Sequence, residues 1–205
     1  MKRILLPLLL LASLSIAHSQ IKLQNLEPSV GYTQTCGENM LTLNGNGISS
    51  VPMTTFSFDA LFGKDKLYTY GIALHMGTGR YTQNTYIENL AIVAAGIKTK
   101  KGVELLNNLL AYFAIEADAL FSSNMAKDEP LQTDVSLDRF GLGVQLGIDT
   151  EINLTEKIHA GFEYGFMLGG FLKDYDLEQM AVYKSEKMSS GIFTRSATIN
   201  VGINF

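Results

Sequence analysis

Seven ionisable residues fall among small or polar neighbours on alternating runs: Asp59, Glu116, Asp118, Arg139 and Glu163, together with His75 and His159. Carboxylates beside an arginine form salt-bridge networks, and charges withdrawn from water must be paired or hydrated. The plain reading is an internal plug, with Arg139 paired to Asp118 or Glu116. Four acids against one arginine also leave surplus negative charge, which a narrow cation-preferring passage would use. His75 or His159 with an acid and a serine supplies the residue types of a hydrolase triad. Triads are defined by geometry, however, and no motif surrounds either histidine. Each histidine therefore reads first as a hydrogen-bonded interior residue, and no catalytic set or cofactor is assigned. No Gly-rich phosphate loop, CxxC pair or HExxH occurs. Asp174-Tyr175-Asp176-Leu177-Glu178 alternates acids but lacks the glycine and spacing of a calcium loop, so it reads as a solvated segment and no metal site is expected.

The elements that must position these residues are strands. In the last fifteen residues, Gly191 to Phe205, odd positions from Phe193 on are almost all apolar and even positions from Thr194 on are all small or polar. Such a stretch is long enough to cross a bilayer, since a tilted membrane strand needs roughly 9–11 residues. Seven earlier segments are expected as strands: about Leu26–Thr35, Met53–Phe62, Leu67–Gly77, Thr85–Ile97, Leu109–Phe121, Val135–Asp149 and Ile158–Leu172. The apolar faces are Val30 and Tyr32; Phe56 and Phe58; Ile72 and Leu74; Phe113 and Ile115; Leu142 and Val144; and Phe162 and Phe166. The fourth segment is apolar on both faces, and its faces are not assignable.

Eight strands satisfy the even count of single-chain bacterial barrels. Gly63–Lys66, Lys98 to about Asn108, and Asp149–Lys157 read as turns at one end. Cys36–Pro52, Thr78–Asn84, Ser122–Asp134 and Lys173–Ser190 read as loops at the other. Short turns on one side and long loops on the other suit periplasmic turns and extracellular loops. The fold class expected is all-β, an eight-stranded antiparallel up-and-down transmembrane β-barrel. A soluble sandwich or lipocalin-like barrel also alternates, with its apolar face inward. The length of the apolar faces and the scarcity of charge on the opposite ones favour the membrane.

Composition agrees. Of 205 residues only 18% are charged, below the ~25% usual for soluble domains, and there are 19 Gly and 4 Pro. Residues 1–19 read as a secretory signal: Lys2 and Arg3, an apolar stretch from Ile4 to Ile16, then Ala17-His18-Ser19. Residues 20–205 form the barrel domain. Loss of Lys2 and Arg3 takes 16 basic residues to 14 against 20 acidic ones, a net charge of −6, which argues against nucleic acid as a partner. The single cysteine, Cys36, forms no internal disulfide and reads as an inert thiol.

The alternating ending, closed by Phe205, resembles the C-terminal strand of small Gram-negative outer-membrane β-barrels. Asn153–Ile158 leading into Gly161–Phe166 is the most family-like internal stretch, and the resemblance covers Gln20 to Phe205. It implies an outer-membrane location and a terminal signature of Phe205, with Ile203 and Val201 on its face, read by the barrel assembly machinery. It also implies periplasmic chaperones, outer-membrane lipid and lipopolysaccharide as partners. Such barrels serve as adhesins, pores, carriers and a few lipid-A enzymes, so the resemblance fixes no activity. The expectation is a structural or surface-loop role, with a narrow pore as the alternative.

Overall fold

The computed structural model describes residues 21–41, 48–83, 86–128, 133–171 and 191–205. They form eight strands: β1 (Lys22–Leu41), β2 (Ile48–Asp65), β3 (Tyr68–Gln83), β4 (Tyr86–Leu106), β5 (Leu109–Asp128), β6 (Thr133–Asn153), β7 (Ile158–Phe171) and β8 (Gly191–Asn204). Each pairs antiparallel with the next, and β8 pairs with β1, so the sheet closes into a barrel with no free edge. Residues 1–19 and the whole of the expected Lys173–Ser190 loop, Asp174–Glu178 included, lie outside the described residues.

The apolar face lies outside. Phe56, Phe58, Ile72, Leu74, Phe113, Leu142, Val144, Phe162 and Ile199 are all exposed. A continuous belt of this kind far exceeds the apolar patch a soluble monomer shows to water, and a bilayer is the solvent that fits it. A lipocalin-like arrangement, with the greasy face inward, is thereby excluded.

Several strand boundaries depart from expectation. Of the expected loops, Ser122–Asp128 belongs to β5, Thr133 and Asp134 to β6, Cys36–Leu41 to β1 and Ile48–Pro52 to β2. Two departures at the other end matter for the interior. Lys98 to Asn108 is not a turn. β4 runs on to Leu106, and only Asn107 and Asn108 turn the chain into β5. Likewise β6 continues to Asn153, so Asp149 and Glu151 belong to the strand. Charged residues at the end of an apolar run look like a turn in sequence, whereas inside a barrel they are still on the ladder and alternate like the rest. Thr78 to Gln83 is likewise strand, paired residue by residue with β4. The true turns are capped locally. Asp65 Oδ1 accepts from the backbone N–H groups of Leu67 (2.9 Å) and Tyr68 (3.0 Å), and Thr155 Oγ1 accepts from those of Lys157 (3.2 Å) and Ile158 (3.0 Å).

β4 was ambiguous for a physical reason. Its even residues Leu90, Ile92 and Ala94 are buried in the lumen, while Val93, Ala95 and Ile97 lie on the lipid side. The buried ones join Val51, Met53, Leu120, Met167, Phe171 and Ile192 in an apolar cluster that fills the half of the barrel away from the short turns. Space for it comes from facing glycines. A Cβ on Gly143 would meet Met167 Sδ at 3.0 Å and Leu120 Cδ1 at 3.2 Å. The inward glycines thus accommodate larger neighbours and do not widen a channel.

Candidate functional site: the charged lumen

Nearest the short turns, Lys100 lies fully buried. Its Nζ donates to Glu27 Oε2 (2.5 Å), Asp149 Oδ2 (2.6 Å) and Glu151 Oε1 (3.2 Å) and sits 5.6 Å from the centre of the Tyr112 ring. His159 belongs to this level. Its Nδ1 is 2.9 Å from Asn204 Oδ1, and its Nε2 is 3.7 Å from Glu27 and 3.9 Å from Glu151. Asn25 Nδ2 donates to Glu27 Oε1 at 2.9 Å.

Two residues further along β4, Lys98 Nζ donates to Asp59 Oδ2 and Glu163 Oε2, both at 2.7 Å. Beside it His75 Nε2 lies 2.7 Å from Glu116 Oε1, and His75 Nδ1 lies 2.8 Å from Ser57 Oγ. Asp118 adjoins Glu116 on the same face of β5, and both of its carboxyl oxygens are buried with no N–H or hydroxyl group donating to them. Above this level lies a cavity of about 60 Å³, room for a few waters, walled in part by Thr33, Thr55, Thr198 and Gln145. The apolar cluster follows.

Arg139 lies beyond that cluster and pairs with neither Asp118 nor Glu116. Its Nε donates to Ser122 Oγ and its Nη2 to Asn124 Oδ1, both at 3.2 Å, and its guanidinium lies 4.2 Å from the centre of the Phe171 ring. Asn124 also donates to Glu88 at 2.9 Å. The expected pairing fails because a tilted barrel carries Arg139 past the level of the acids. The registers of β5 set Ser122, not Asp118, opposite Arg139.

All seven residues singled out from the sequence point into the lumen, but they do not form one network. Asp59 and Glu163 share Lys98, His75 takes Glu116, and His159 joins the Lys100 level. The organising cations, Lys98 and Lys100, were missed because they fell in the supposed turn. The alternation Gly96, Lys98, Lys100, Gly102 on the parity of Ala94 is the signal that marks them as inward. Glu27, Glu88, Asp149 and Glu151 are further buried acids. Among the described residues eight buried acids thus face three buried lysine and arginine side chains, correcting the count of four against one.

Ser57, His75 and Glu116 form a hydrogen-bonded chain of the residue types a hydrolase triad uses. The ring is the wrong way round for that role, with Nδ1 rather than Nε2 toward the serine. Ser57 is also paired to Ser29 on one side and His75 on the other, so its backbone is committed to both ladders and offers no oxyanion hole.

No family model matches the sequence, and no curated protein does. Solved structures do. Neisserial surface protein A superposes with a TM-score of 0.54 at 11% identity, over 90% of this chain and 99% of that one. Ail, the attachment invasion locus protein of Yersinia pestis, in its complex with the heparin analogue sucrose octasulfate, gives 0.50 at 10% identity over 90% and 100%. The chain has the fold of the small outer-membrane β-barrels. At these identities the likeness concerns the fold alone.

Proposed function

We propose that this protein is an integral outer-membrane barrel that works at its loop-bearing end and not through its bore. The lipid-facing belt and the shared fold support that location. The observation that carries the reading is the double closure of the lumen. The carboxylate–lysine levels occupy the lumen near the short turns, the apolar cluster occupies it toward the other end, and the cavity between has room for a few waters. Strand length supports activity at the far end. β4, β5 and β6 have 21, 20 and 21 residues, about twice what crosses a bilayer, so they carry their outer ends well clear of the lipid. On the opposite rim Val201, Ile203 and Phe205 point outward, a face suited to recognition by the assembly machinery and its chaperones.

The acid surplus keeps a narrow cation pore as the second reading. Planar-bilayer recording decides between them, using protein extracted in detergent from the envelope of an expressing Gram-negative host. The expected outcome is no discrete conductance from protein shown to be folded by its heat-dependent gel migration. Regular cation-selective steps, reduced in Glu163→Gln, would overturn the closed-lumen reading.

A further inference from the structure

Asp118 is 4% exposed, and no N–H or hydroxyl group donates to either of its oxygens or to Glu116 Oε2 beside it. A pair of buried carboxyl groups side by side is costly unless a shared proton or a positive charge lies between them, and a metal ion takes the place of that proton. Lys98, the nearest lysine, is already held by Asp59 and Glu163. One ring nitrogen of His75, one oxygen of Glu116 and one of Asp118 all lie within 4.8 Å of one another, and it is Nε2 that faces Glu116. From this geometry we infer that His75, Glu116 and Asp118 bind a divalent transition-metal ion, of which zinc is the type, inside the barrel.

The donor set specifies the class. One imidazole nitrogen with two carboxylates suits zinc and its transition-metal neighbours, whereas calcium and magnesium take oxygen ligands throughout. Charge balances as well, because two carboxylates and a neutral imidazole offset a dication. Ser57 supplies the support such a histidine needs. With Nδ1–H donating to Ser57 Oγ at 2.8 Å, the lone pair of Nε2 is directed at the carboxylates. The short Nε2–Glu116 contact of 2.7 Å is the place where a shared proton and a metal ion exclude one another. Ligand atoms around a tetrahedral zinc stand about 3.3 Å apart, so binding requires that contact to open by about half an ångström. The His75 side chain is 17% exposed and lines the small cavity, which has room for a water as the remaining ligand.

Envelope-extracted protein in detergent, stripped with chelator, is titrated with Co²⁺ and then Zn²⁺. The expected result is one Co²⁺ per chain with a visible ligand-field band, displaced by Zn²⁺, and a higher unfolding temperature with metal. Ser57→Ala weakens binding roughly tenfold. Asp118→Asn and His75→Gln abolish it, while Asp138→Asn on the exposed face leaves it intact. A folded wild-type chain that takes up no metal overturns the proposal, and so does undiminished binding in folded Asp118→Asn or His75→Gln. The wild-type titration decides the matter even if a variant does not fold, and it is independent of whether the bore conducts.

Discussion

Lys100 shows how a single side chain organises one end of this lumen. Its ammonium is the common partner of Glu27, Asp149 and Glu151, none of which has another lysine or arginine within salt-bridge distance among the described residues. Lys100→Met keeps most of the volume and removes the charge. Three buried acids are then left to repel one another, and stability falls by about 3–5 kcal/mol, measured by urea unfolding in lipid vesicles. Gly202 makes the opposite point, where space matters more than charge. A Cβ there would overlap the His159 ring and meet Glu27 Cγ at 3.0 Å, and His159 is fully buried. Gly202→Ala therefore costs about 1–3 kcal/mol in the same assay, although alanine suits a strand as well as glycine does.

Among the elements, β4 carries both solvents of this protein on one ribbon. Ala95 lies on its lipid side, opposite Leu74 of β3 and Ala119 of β5, well within the apolar belt. Asn89, on the same face six residues further out, is beyond the belt's densest part. Arginine at position 95 must be held in hydrocarbon, and Ala95→Arg destabilises the folded barrel by about 2–4 kcal/mol. Asn89→Arg costs about 0–1 kcal/mol, since its guanidinium reaches the headgroups. Equal costs at the two positions would contradict the belt as drawn. Arg195, exposed on β8 and hydrogen-bonded to Gln34 Oε1 at 3.1 Å, shows that the outer rim accepts such a side chain.

For the whole molecule, the barrel is closed by its ladders and not by the connections that lie outside the described residues. β7 and β8 are paired without interruption from Ile158 with Ile203 to Gly170 with Gly191. Replacing residues 172–190 by a short turn therefore leaves the barrel folded. Because loop closure becomes easier, it raises the unfolding free energy by about 1 kcal/mol. Loss of the heat-dependent gel shift in that variant would mean that the segment is part of the folded wall. The same deletion separates stability from activity if the protein acts through that end.

The strand alternation, the even count and the placement of Asp59, His75, Glu116, Asp118 and Glu163 on the polar faces of their strands were legible from the chain alone, because a period of two is a local property of the backbone. The sequence also supported an apolar face long enough for a bilayer. Which face is outside was decided by closure of β8 onto β1, since parity is symmetric between the two sides of a sheet. The partners of each charge were likewise a matter of tertiary structure. Strand tilt offsets residues around the barrel, so Arg139 meets Ser122 and Asn124 and not Asp118, and Lys98 and Lys100 reach acids on strands distant in sequence. Alternation tells which way a side chain points, and only the shear of the closed barrel tells what it meets there.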